Sequence, residues 1–72
     1  MSAEILAPLA GKIVQLDLEV GVTVEEDEEI MVIEAMKMET PVFAPVGGTV
    51  KEIRVAEGDE VAEDQVLAVI DP

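Results

Sequence analysis

The chain contains no cysteine, histidine, tryptophan or tyrosine, and Phe43 is its one aromatic residue. Without cysteine or histidine there is no disulfide staple and no ordinary zinc framework, so no metal ligands are expected. The nucleophile–base pairs of acyl-transfer enzymes are missing too, so no residue is expected to be catalytic. The first residues, Met1-Ser2-Ala3-Glu4-Ile5-Leu6, lack the basic region and apolar run of a secretory signal. No stretch approaches the ~20 apolar residues of a membrane span, so direct membrane insertion is not expected. Together with the absence of cysteine, this makes a cytoplasmic protein the expectation.

Basic residues are also scarce. Four Lys and Arg face seventeen Asp and Glu, a formal net charge of −13. Such a surface repels nucleic acid and anionic lipid and suits basic partners. It also makes the folded state repel itself, so added salt should stabilise it. The run Glu25-Glu26-Asp27-Glu28-Glu29 lacks the ligand spacing and glycine turn of a calcium loop and reads as a solvated acidic turn. With 72 residues the chain makes one small domain, residues 1–72, whose core of Val, Ile, Leu and Met barely offsets the cost of ordering it.

What the chain does have is an internal repeat. Offset by 37 positions, residues 6–34 lie on residues 43–71 without a gap. Ala7-Pro8 falls on Ala44-Pro45, Gly11 on Gly48, Gly21 on Gly58, Glu26-Asp27 on Glu63-Asp64 and Val32-Ile33 on Val69-Ile70. Matched glycines imply matched turns. Each half is rich in β-branched residues, lacks helical periodicity and has turn residues at short intervals, so both read as strands. A short strand ends at Ala7-Pro8 or Ala44-Pro45. A longer one covers 12–19 or 49–56, a glycine turn and a short piece at Val24 or Val61 follow, and a last apolar strand covers 29–34 or 66–71.

The long strand breaks its own alternation. Its apolar set is Ile13, Leu16 and Leu18, matched by Val50, Ile53 and Val55, so the parity changes once in each half. A bulge or sharp twist is predicted near Val14-Gln15 and Lys51-Glu52. Asp27 and Asp64 sit at turns, and a left-handed backbone is predicted at one or both. Two β halves, each too small to bury its own apolar face, are predicted to pack face to face as an all-β flattened sandwich with approximate two-fold symmetry. Under the offset, Ala35 corresponds to Pro72, so the link 35–42 is the symmetry mate of the chain end. Its tip should project alone, far from both termini.

At that tip stands Glu34-Ala35-Met36-Lys37-Met38-Glu39. Lys37 is the only cation between Lys12 and Lys51. Met36 and Met38 either fill the end of the core or form a surface that another molecule covers. Glu34 and Glu39 are solvated charges or contacts for a modifying enzyme.

Glu34-Ala35-Met36-Lys37-Met38, set between two β half-repeats, resembles the attachment motif of the biotinyl/lipoyl carrier family, biotinyl subfamily. The likeness runs from Ile5 to Ile70 and includes Ala7-Pro8, Gly11-Lys12, Gly21, Ala44-Pro45, Gly48 and Glu57-Gly58-Asp59. It implies a barrel-sandwich hybrid of two pseudo-two-fold-related four-stranded halves. It also implies covalent biotin on Lys37, with Glu34, Ala35, Met36 and Met38 read by a biotin protein ligase. Biotin carboxylase would then load carboxylate on the ureido nitrogen, and a carboxyltransferase or decarboxylase subunit would exchange it with an acyl-CoA or 2-oxo acid. The chain would be a carrier and not an enzyme. The Met-Lys-Met triplet favours biotin over lipoate, the runner-up, while a third reading is an unmodified acidic interaction module. Asp27 and Asp64 stand where relatives commonly have Gly, and Val20-Gly21-Val22 replaces a Glu-Gly-Asp-like turn. The gapless repeat leaves no room for the thumb loop of some relatives.

Overall fold

The computed structural model describes residues 2–72 and is all-β. Eight strands follow in order: β1 (Ala3–Leu6), β2 (Gly11–Leu16), β3 (Thr23–Val24), β4 (Glu29–Ala35), β5 (Met38–Phe43), β6 (Gly48–Ile53), β7 (Glu60–Val61) and β8 (Val66–Asp71). Two antiparallel four-stranded sheets, β1-β8-β6-β3 and β5-β4-β2-β7, form a flattened sandwich. β2 and β6, like β3 and β7, are related by the 37-residue offset to the residue. The connections between strands have equal lengths in the two halves, so no thumb interrupts the first.

The predicted face-to-face packing of the two halves needs one correction: a half is not a sheet. Each sheet takes two strands from each half, so the repeats interlock rather than stack. Neither half can therefore bury its apolar face without the other. Matched hydrogen bonds close the interlock. The Ala7 N–H donates to Gln65 O at 2.9 Å and Ala7 O accepts from the Asp64 N–H at 2.9 Å. Their mates join Ala44 N–H to Glu28 O and Asp27 N–H to Ala44 O, also at 2.9 Å. Asp27 and Asp64, both predicted candidates, each adopt the left-handed conformation with φ 66°.

Both predicted irregularities are present. The register shifts between Ile13 and Gln15 in β2 and between Val50 and Glu52 in β6. The bulge lets Ile13 and Leu18, and Val50 and Val55, all reach the core. The long strands are shorter than predicted, ending at Leu16 and Ile53 instead of 19 and 56. Beyond them the chain still bonds to its neighbour, Asp17 N–H to Ile30 O at 2.8 Å and Arg54 N–H to Leu67 O at 2.9 Å, but then swings across to the other sheet. Ile13, Ile30, Met31, Ile33, Leu67 and Ile70 are completely enclosed. The core contains no buried polar or charged residue among the described residues.

Candidate functional site

β4 and β5 pair from Glu29↔Phe43 up to Ala35↔Met38, which leaves two residues, Met36 and Lys37, to make the connection. The link is thus much tighter than the 35–42 segment expected from the sequence. A two-residue hairpin whose twist suits the flanking strands needs positive φ at both central positions. Met36 has φ 52° and Lys37 φ 65°. Neither is glycine or asparagine, so each residue costs roughly 1–2 kcal/mol relative to an ordinary conformation. The paired strands below impose that cost.

The base of the hairpin is held from beneath. In sheet order, β4 lies on β2, with Lys12 opposite Glu34 and Ile13 opposite Ile33. Gly11 sits so close that a Cβ there would stand 2.5 Å from Glu34 O and 2.6 Å from Ile33 Cγ2. Any side chain at position 11 would push the hairpin base away. The mate Gly48 stands in the same relation to Asp71 and Pro72, a Cβ there meeting Asp71 O at 2.5 Å. Hairpin base and chain end are therefore equivalent points of the two-fold.

Topology separates those points. β1 starts beside the chain end, Ala3 opposite Ile70, and stops beside Val66. Four residues later the chain has crossed to the other sheet and begins β2 next to the hairpin base. The tip and the described ends of the chain, Ser2 and Pro72, thus lie at opposite ends of strands about 20 Å long. The whole molecule measures 33 × 17 × 17 Å.

The side chains sort cleanly. Met36 is 95% exposed and Met38 70%, so they do not fill the end of the core. Lys37, Glu34 and Glu39 are exposed, and Ala35 is half-buried. Among the described residues the one ion pair joins Arg54 to Glu52, which leaves the Lys37 amine without a carboxylate partner. Glu39, Glu34, Lys12 and Glu60 stand in one row across the four strands β5, β4, β2 and β7. Glu34 directly faces Glu39, a like-charge pair. Next to the hairpin base lies a shallow groove of about 520 Å³ that includes Gly11, Lys12, Ala35, Met36 and Val61. The arrangement can present one primary amine, on a flexible stem, at the end of a rigid body.

The Val20-Gly21-Val22 turn, where the Glu-Gly-Asp pattern is missing, differs from its mate in the hydrogen bonds it makes. In the second half, Glu57 Oε2 accepts from the Leu16 N–H at 3.1 Å and Asp59 Oδ2 from the Ala56 N–H at 2.9 Å. The first-half equivalents are Val20 and Val22, which are 64% and 46% exposed and cannot accept.

The family model described as "Biotin-requiring enzyme" matches residues 1–70. No curated protein matches the sequence. Among solved structures, the urea carboxylase of Kluyveromyces lactis is similar with a TM-score of 0.89 and 31% identity over 99% of this chain. A single-chain, multi-domain long-chain acyl-CoA carboxylase is similar with a TM-score of 0.88 and 28% identity over 94% of this chain. The chain spans 6% and 7% of those two polypeptides.

Proposed function

Because the chain belongs to the family of biotin-requiring enzymes, in which it forms a carrier domain, we propose that Lys37 bears biotin through an amide bond and that the domain carries an activated carboxyl group between two catalytic sites. The observation that supports this most directly is the exposed, unpaired Lys37 at the two-residue apex of the β4–β5 hairpin. The ε-amine attacks the activated carboxyl carbon of the cofactor, the leaving group departs, and the nitrogen gives up a proton. Lysine suits this step because it combines a nucleophilic amine with a long flexible stem, whereas a guanidinium is a poor nucleophile. When bound, biotin supplies a ureido nitrogen that can hold carboxylate.

The chain's own contribution is mechanical and electrostatic. Gly11 lets β2 press against the hairpin base, and the paired strands hold Met36 and Lys37 in a fixed left-handed turn. The amine therefore extends from a rigid end and reaches into a partner's cleft without unfolding anything. Tethering replaces free diffusion of a labile intermediate by a high local concentration. The net charge of −13 becomes one unit more negative on acylation, which favours partners with basic docking faces.

The partners on this reading are a biotin protein ligase, a biotin carboxylase and a carboxyltransferase or decarboxylase subunit. The two structural neighbours, both carboxylases, support this choice. Glu34, Ala35, Met36 and Met38 would form the surface that the ligase reads. Incubation with a biotin ligase, biotin and ATP should add one biotinyl group, and the Lys37→Ala variant should gain none while keeping its fold. No mass change after complete reaction, or uptake of lipoate from a lipoate ligase by a chain that takes no biotin, would refute the assignment.

A further inference from the structure

We propose that Met36 and Met38 are a paired oxidation site, and that converting them to sulfoxides blocks acylation of Lys37. The inference rests on the proposed role of Lys37 as the acylated residue. Three of the four methionines are described, and they fall into two environments. Met31 is completely enclosed, at 0% exposure, in the core. Met36 and Met38 are 95% and 70% exposed and flank the amine on both sides. Thioether oxidation follows access, so a peroxide reaches Met36 and Met38 and not the enclosed Met31.

The step balances without help from the protein. A sulfur lone pair attacks one oxygen of a hydroperoxide, the O–O bond breaks, an S–O bond forms and water leaves with hydrogen peroxide as oxidant. Sulfur loses two electrons and the peroxide gains them. A dithiol-dependent sulfoxide reductase reverses the change.

The consequence follows from position. Any protein that closes on the Lys37 amine must cover the side chains on either side of it. Two exposed apolar residues on an otherwise acidic hairpin offer that protein a flexible apolar contact. A sulfoxide at either place puts a strong, unsatisfied acceptor into the contact and weakens it. The fold itself has nothing to lose, because neither side chain is in the core. The modification would therefore act on transfer to Lys37 and leave stability alone.

The test treats the purified 72-residue chain with hydrogen peroxide, maps sulfoxides by peptide mass, and measures the rate of biotin attachment by a biotin ligase before and after. Met36 should oxidise first, then Met38, with Met31 spared. The attachment rate should fall about tenfold or more, as expected for a polar group forced into an apolar contact, and sulfoxide reductase should restore it. The Met36→Leu/Met38→Leu variant keeps Met1 and Met31, so its own rate, whatever its starting value, should be the same before and after peroxide. An unchanged rate in the doubly oxidised chain overturns the proposal, as does equal loss in the leucine variant. If the untreated chain accepts no biotin, the assignment of Lys37 fails instead.

Discussion

Replacing Val20 by Glu and Val22 by Asp should stabilise the protein, even though it adds two negative charges to a chain already at −13. The substitution copies Glu57-Gly58-Asp59 onto its symmetry mate. The turn is already prepared: Val22 N–H donates to Glu19 O at 3.2 Å, the mate of Asp59 N–H to Ala56 O at 3.1 Å. The new carboxylates should accept from the N–H groups of Ile53 and Glu19, as Glu57 and Asp59 do from Leu16 and Ala56. Each such solvent-exposed bond contributes about 0.5–1 kcal/mol. The valines are 64% and 46% exposed, so little apolar burial is lost. Self-repulsion opposes the gain at low ionic strength and is screened at about 1 M salt, where the Debye length is about 3 Å. The net gain should be about 1 kcal/mol in high salt and smaller without it. In a domain of this size that raises the midpoint of thermal unfolding by about 4–8 °C. Far-UV circular dichroism is the appropriate probe, because the chain has no tryptophan or tyrosine to report by fluorescence. A lower midpoint in high salt than the parent's would refute the symmetry argument.

Four further outcomes are expected. Lys37→Gly relieves a left-handed non-glycine residue and should stabilise the fold by roughly 0.5–1 kcal/mol in urea unfolding, while abolishing acylation by mass. Gly11→Ala drives a Cβ to 2.5 Å from Glu34 O and should cost about 1–3 kcal/mol, with faster amide exchange in Ile33–Ala35 than in the parent. Ile33→Ala opens a cavity at a completely enclosed position and should cost about 2–5 kcal/mol by the same urea measurement. Raising sodium chloride from low levels to about the physiological Debye length of ~8 Å should raise the unfolding midpoint of the parent, because the charges are overwhelmingly of one sign.

Much of the architecture is local and was therefore legible. The duplicated pattern showed the strands, the turns and the two irregularities, because a parity change in Ile13, Leu16 and Leu18 needs a bulge or a sharp twist, and the register shift makes it a bulge. Asp27 and Asp64 announced left-handed turns by residue type and position. The interlocking of the halves was not legible: which strand lies beside which is decided by pairings far apart in sequence, such as Ala3 with Ile70, that leave no trace in periodicity. Strand length failed at residues 17–19 for the same reason, since the crossing to the other sheet is a tertiary event. At the site, the position of Lys37 could be read from symmetry and its flanking methionines. The positive φ values of Met36 and Lys37 could not, because both residue types disfavour them and only the closed Ala35↔Met38 pair enforces them.

Everything rests on the Lys37 amine standing free at the apex and being the group that takes the cofactor. Intact mass of the ligase-treated chain, followed by fragment mapping, tests this in one measurement. The expected result is a single biotinyl group on Lys37 and none on Lys12 or Lys51. An unmodified chain after complete reaction, or a biotinyl group on either of the other lysines, would contradict it.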